Sequence, residues 1–201
     1  MIKRPPKIKQ LGDTMHLTVA ITGCSGVVYG MRLLEVCKRL GIETDLIVSL
    51  AAEIVLKLEL GKTIDELREL ATRCYSPDDL AAPPASGSYP VDAMTIVPCS
   101  MKTLGSIASG VTADLVTRVA DIMLKEGRPL VLVPRETPLN LIHLENMTKL
   151  RRAGATILPA MPAFYHKPKA IPDLVDFIVG RVLDMLGVEH QLYQRWQGYQ
   201  E

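Results

Sequence analysis

Short apolar runs rich in branched side chains recur along this chain, each closing on a Gly, Ser or Pro turn and each followed by sequence of helical character. Leu17 to Ile21 ends in Thr22-Gly23-Cys24-Ser25-Gly26 and leads into a helix-compatible stretch from Val27 to Leu40, stopped by Gly41. Asp45 to Ser49 is a second strand, followed by helices over Ala51 to Leu60 and Ile64 to Arg73; Asp65 and Glu66 suit the positive first turn of the latter. Ala93 to Pro98, Leu130 to Val133 and Ala155 to Leu158 continue the series of strands. Helices are expected near Lys102 to Ser109, Ala113 to Glu126, Leu139 to Arg152 and Pro172 to Leu186, the last opened by a proline and closed by Gly187. Uniformly apolar strands alternating with helices are buried on both faces, so the pattern predicts an α/β protein with a doubly wound parallel sheet.

The rhythm is the same on both sides of residues 76–90, where Pro77, Pro83, Pro84, Gly87 and Pro90 cluster, so this segment reads as an ordered loop inside one domain. The domain is expected over residues 16–188. Ahead of it, residues 1–15 form a short basic arm with Lys3, Arg4, Lys7 and Lys9; behind it, residues 189–201 form a polar tail carrying Tyr193, Trp196 and Tyr199. A net charge of +1 argues against nucleic acid as the main partner, because phosphate-backbone binding draws on a basic surplus. No apolar run approaches the roughly 20 residues that cross a bilayer. The four cysteines lack metal or redox spacing and predict reduced thiols in a cytoplasmic protein.

Ligands of such sheets sit beyond the carboxyl ends of the strands, where glycine-rich turns and helix N-termini collect. Gly23, Ser25 and Gly26 stand directly before a helix, as a phosphate cradle or, equally on pattern alone, a ligand-free turn. No Gly-Lys-Ser/Thr follows, so this is not a Walker loop, and its shortness favours a mononucleotide over a dinucleotide. Val97 to Lys125 repeats the theme: a strand, Pro98, the turn Ser100-Met101-Lys102-Thr103, then helical sequence bearing Arg118 and Lys125. These cations lie two helical turns apart and project from nearly one side, as a phosphate grip or a solvated face. Arg135 and Glu136 follow Pro134 at another strand end, as ligands or a simple ion pair. Tyr165 and His166 sit in a proline-stiffened loop, and Arg181 and Glu59 read by default as surface charges on their helices. Together these clusters predict a polar pocket at one end of the sheet. His143 and Glu145 have no companions at metal-ligand spacing, so no metal site is expected.

The order of these motifs resembles one family. Thr22-Gly23-Cys24-Ser25-Gly26 with Tyr29-Gly30 and Arg32-Leu33-Leu34, the loop Ala82-Pro83-Pro84-Ala85-Ser86-Gly87-Ser88, and Pro98-Cys99-Ser100-Met101-Lys102-Thr103-Leu104 carry the likeness. So do Arg118, Leu124-Lys125-Glu126, Pro134-Arg135-Glu136-Thr137-Pro138, Pro162-Ala163-Phe164-Tyr165-His166 and Arg195-Trp196. Over about residues 16 to 198 the chain is similar to the UbiX-type flavin prenyltransferases, the small partners of the UbiD decarboxylase system.

That resemblance implies a single-domain Rossmann-like (flavodoxin-like) fold and a transferase that joins the dimethylallyl group of dimethylallyl phosphate to N5 and C6 of reduced FMN. FMN is then a substrate, no metal takes part, and the prenylated product serves a UbiD-type decarboxylase. Carried over by position, Gly23, Cys24, Ser25, Ser49, Ser100, Met101, Lys102, Thr103 and Arg135 are the implied flavin residues. Arg118, Lys125, Glu136, Tyr165 and Arg181 are the implied prenyl-phosphate residues, the last three from distant parts of the chain or a neighbouring subunit. Ser25 is assigned a positioning or relay part, Lys125 stabilises the leaving phosphate, and Glu136 and Glu59 take the acid and base parts. The family's homododecamers imply an oligomer in which the tail completes a subunit contact. Three features depart from the usual pattern: Cys24 stands where alanine is common, Leu80 where some relatives have tryptophan, and the basic arm is additional. The rival readings are an FMN-dependent decarboxylase of peptidyl cysteine, whose essential histidine is missing from Val48 to Leu60, and a non-catalytic flavin carrier.

Overall fold

Strands β1 (His16–Ile21), β2 (Glu43–Val48), β3 (Arg73–Tyr75), β4 (Ala93–Cys99), β5 (Leu130–Pro134) and β6 (Thr156–Ile157) form one six-stranded sheet in the order β3-β2-β1-β4-β5-β6. Every neighbouring pair is parallel. The order reverses between β1 and β4, which is where a doubly wound sheet opens a ligand crevice at its carboxyl end. The computed structural model describes residues 14–198; residues 1–13, which hold the charges of the expected basic arm, and 199–201 lie outside them.

The strands alternate their side chains between two cores, as the pleat requires. Val131 and Val133 of β5 join one core with α1 (Val27–Arg39), α2 (Leu50–Leu60), α3 (Ile64–Arg68) and α7 (Ile171–Leu186). Leu130 and Leu132 join the other with α4 (Met101–Ala108), α5 (Leu115–Lys125) and Leu150 of α6 (Leu141–Ala153). Both faces are thus covered, and the continuous apolar character of the strands follows from that. Among the described residues no helix is long and apolar enough to cross a membrane.

One expected element changes type. The helix predicted over Ile64 to Arg73 stops at Arg68, and Arg73–Tyr75 instead pairs with β2 as an edge strand. The cause is electrostatic: Asp45 of β2 is fully buried, and its carboxylate accepts from Arg73 Nε at 2.7 Å and faces His16 Nε2 at 2.8 Å. A buried carboxylate must be paired, and drawing Arg73 onto the sheet edge pairs it. The proline-rich loop is ordered, as expected. Arg128 donates to the carbonyls of Gly87 at 2.6 Å and Tyr89 at 2.9 Å, and Arg118 Nε donates to that of Ala85 at 3.2 Å.

Candidate functional site

The carboxyl ends of β1, β2, β4 and β5 bring four turns together. The buried hydroxyl of Thr22, just past β1, donates to the Pro98 carbonyl and accepts the Ser100 N–H, both at 2.8 Å. It thereby locks the first turn to the β4–α4 turn. A Cβ on Gly23 would lie 2.3 Å from the Ala51 Cβ, so only glycine lets the first turn reach the start of α2. Ser49 and Ser100 are the N-caps of α2 and α4; their hydroxyls accept from Ala52 N at 3.2 Å and Thr103 N at 3.3 Å. Arg135, after β5, donates from Nε to the Ser25 carbonyl at 3.2 Å. The turns that carry Gly23 to Ser25, Ser49, Ser100 to Thr103 and Arg135 thus converge on the crevice expected at the carboxyl end of the switch point. Beside it, a cavity of about 290 Å³ is lined by Arg135, Glu136, Leu139, Met147, Ala160 and Met161.

This crevice fits an anionic nucleotide. Two serine-capped helix N-termini and one guanidinium face it, and the helix dipoles add partial positive charge. The α1 N-terminus contributes differently from the sequence expectation. The Glu59 carboxylate, from the last turn of α2, accepts from Gly26 N at 2.9 Å and Val27 N at 3.2 Å. The N–H groups read from sequence as a phosphate cradle thus hold the chain's own carboxylate, which places Glu59 next to Ser25. Burial pushes the Cys24 thiol up to about 11; nearby Arg135 opposes this, while Glu136 and Glu59 add to it. Cys24 is a neutral thiol in the crevice wall.

The two cations of α5 lie elsewhere. Asp114 caps the helix, accepting from Thr117 N at 2.8 Å, and Arg118 and Lys125 both face the 82–88 loop. Lys125 pairs with Glu126, and a Cβ on Gly87 would come 2.9 Å from its Nζ. Because α5 runs antiparallel to the strands, Lys125 ends next to the start of β5, whereas Arg135 follows the end of that strand. The expected single pocket at one sheet end is therefore corrected: within one chain, Lys125 occupies the opposite end.

Tyr165 and Arg181 lie on the other face of the sheet from α5. The Tyr165 ring packs edge-on to Phe177 of α7 at 6.0 Å and to Trp196 at 5.6 Å. Arg181 NH1 donates to Asp184 at 2.8 Å and lies 3.4 Å from the Tyr193 hydroxyl. Glu136 is exposed beside Arg135, and its Oε1 accepts from Thr137 N at 3.0 Å. His143 serves as the capping partner of Asn140 at the start of α6. Among the described residues no group of three or more His, Cys, Asp or Glu side chains is placed to hold a metal ion.

Sequence reasoning assigned no role to Thr22, Asp184 or Tyr193. Thr22 could have been flagged as a polar residue ending an apolar strand, and Asp184 as the acidic residue one helical turn after Arg181. Tyr193 carries no local signal, since its partners lie across a turn.

A flavoprotein family model matches residues 7–183. The chain is 52% identical over 182 residues to the flavin prenyltransferase UbiX of Methanocaldococcus jannaschii, covering 90% of this chain and 98% of that protein. It superposes with a TM-score of 0.92 and 46% identity on a crystal structure of AnUbiX in complex with FMN and dimethylallyl pyrophosphate, over 94% of this chain and all of that one (100%). A dodecameric FMN-dependent UbiX-like decarboxylase from Escherichia coli O157:H7 matches with a TM-score of 0.90 and 46% identity, over 92% of this chain and 100% of that one.

Proposed function

We propose that this chain, which belongs to the flavoprotein family and within it to the UbiX-type flavin prenyltransferases, joins the dimethylallyl group of dimethylallyl phosphate to N5 and C6 of reduced FMN. The observation that carries this assignment is the crevice in which Arg135 and the capping serines Ser49 and Ser100 converge on the first turn. Gly23, Cys24, Ser25, Ser100 to Thr103 and Arg135 hold the flavin there. Reduced FMN, when bound, supplies the electron-rich N5 and C6 to which the allyl group is transferred.

The other residues act on the prenyl donor. Arg118, Lys125, Arg181 and Tyr165 hold its phosphate and stabilise the charge that builds on it as the allylic C–O bond breaks. Apolar and aromatic walls, including Tyr165, keep water from capturing the allyl group. Glu136, beside Arg135, and Glu59, held by Gly26 N–H next to Ser25, move the protons of ring closure, with the Ser25 hydroxyl as relay.

A single chain sets Arg118 and Lys125 on one face of the sheet and Tyr165 and Arg181 on the other, which favours a site completed by neighbouring copies. Exposed apolar stripes, Leu50, Ile54 and Leu58 on α2 and Leu141, Ile142 and Leu144 on α6, offer surfaces for such contacts. The assembly is a homododecamer like the E. coli protein, with the tail at a subunit contact; it works in the cytoplasm and passes its product to a UbiD-type decarboxylase.

The test is anaerobic incubation with reduced FMN and dimethylallyl phosphate, followed by mass analysis of the flavin. A flavin heavier by one five-carbon unit, with release of phosphate, is expected. Bound FMN with both reagents unchanged would overturn the assignment and point to a carrier.

A further inference from the structure

Asp184, on the last turn of α7, is a junction of four side chains. Its carboxylate accepts from Arg181 NH1 at 2.8 Å, from Arg195 NH2 at 2.6 Å and from the Tyr193 hydroxyl, and it lies 3.1 Å from His190 Nε2. The Asp184 side chain is only 9% exposed and that of His190 2%, so the carboxylate and the imidazole are shielded from water, while the Arg195 guanidinium lies at the surface. Three of the four partners belong to the tail, which lies flat on α7: a Cβ on Gly180 would meet the Tyr193 ring at 2.6 Å and the His190 ring at 2.7 Å. The Tyr193 ring also packs on Phe177, with centroids 4.9 Å apart.

Arg181 is held at one nitrogen only. NH1 faces Asp184 and Tyr193, while Nε and NH2 make no hydrogen bond to any described residue. That free edge is the one a guanidinium uses for two parallel bonds to a phosphate or carboxylate. Two guanidiniums, Arg181 and Arg195, share one carboxylate, so the junction keeps a net positive charge. An unanchored arginine carries substantial rotamer entropy that binding must remove; here the anchor has already removed it.

We propose that Asp184 and Tyr193 are positioning residues for Arg181, fixing the guanidinium so that its Nε–NH2 edge receives the prenyl phosphate. The C-terminal tail is thereby part of the donor site through the Asp184 junction. This rests on the assignment of Arg181 to the prenyl phosphate.

Steady-state kinetics on Asp184→Asn, Tyr193→Phe and Arg181→Ala, singly and with each positioning change combined with Arg181→Ala, test it. Tyr193→Phe keeps the ring against Gly180 and Phe177, so it reports on the hydroxyl even where Asp184→Asn loosens the tail. Each positioning variant raises the KM for dimethylallyl phosphate about tenfold, as loss of a bond to a charged group predicts, with kcat and FMN affinity near wild type. In the Arg181→Ala background neither change raises KM further, an outcome that a purely structural role would not produce. The proposal is overturned if Arg181→Ala raises KM while the positioning variants do not, or if their effects add fully in the Arg181→Ala background. If Arg181→Ala itself leaves KM unchanged, the assignment of Arg181 to the phosphate fails, and the proposal with it.

Discussion

Thr22 and Ser100, 78 residues apart in sequence, are joined by one hydroxyl, which accepts the Ser100 N–H at 2.8 Å and donates to the Pro98 carbonyl. Thr22→Val keeps the shape and removes both bonds, leaving a part-buried N–H without its partner at the α4 N-cap. Such a loss costs about 1–3 kcal/mol. A lower denaturation midpoint is expected together with weaker FMN binding, because Ser100 to Thr103 would no longer be held against the first turn. Unchanged FMN affinity in a destabilised variant would show that the tie is structural only.

The approach of the first turn to α2 leads to a second prediction. Gly23→Ala puts a methyl group 2.3 Å from the Ala51 Cβ, which backbone must move to accommodate. Overpacking of this kind costs about 1–3 kcal/mol. It falls on the spacing between Ser25 and Ser49, so FMN affinity drops by about tenfold or more, measured by flavin fluorescence titration.

Asp184 gives the tail a pH dependence. Burial opposes its ionisation, but hydrogen bonds from Arg195, Tyr193 and His190 outweigh burial and hold its carboxyl below the ordinary 3.8. A carboxyl with a depressed native pKa contributes stability that is complete above its unfolded pKa and lost as pH falls through the native one. The contribution of Asp184 to docking of the tail is therefore complete at neutral pH and weakens below 3.8. The single tryptophan, Trp196, packs on Tyr165 and reports it by fluorescence. Asp184→Asn shifts the emission already at neutral pH and removes the acid transition; an identical titration in wild type and variant would contradict this.

Much of this was legible in the sequence because the determining patterns are local. Five of the six strands announced themselves as apolar runs, and the turns after them named the crevice residues. The edge strand Arg73–Tyr75 was not legible, because its placement depends on a buried carboxylate on another strand rather than on its own pattern. The partner of the α1 N-terminus was hidden for the same reason: Glu59 lies 33 residues from Gly26. Lys125 was read at the wrong end of the sheet because helical spacing fixes which side a residue faces but not which way the helix runs. The Asp184 junction needs the tail to fold back, which no periodicity encodes.

The central claim, a donor site shared between copies, is tested most directly by co-purifying two differently tagged variants, Lys125→Gln and Arg181→Ala, in one oligomer. Among the described residues Lys125 makes only a surface ion pair with Glu126, so its loss leaves folding and FMN binding intact. At a donor concentration far below its raised KM, each variant alone is expected to bind FMN and to show little prenyl transfer. If Lys125 and Arg181 of one site come from different chains, randomly mixed oligomers regain about a quarter of the wild-type sites, read as prenylated flavin formed per bound FMN. A mixed oligomer as inactive as its parents would contradict the claim.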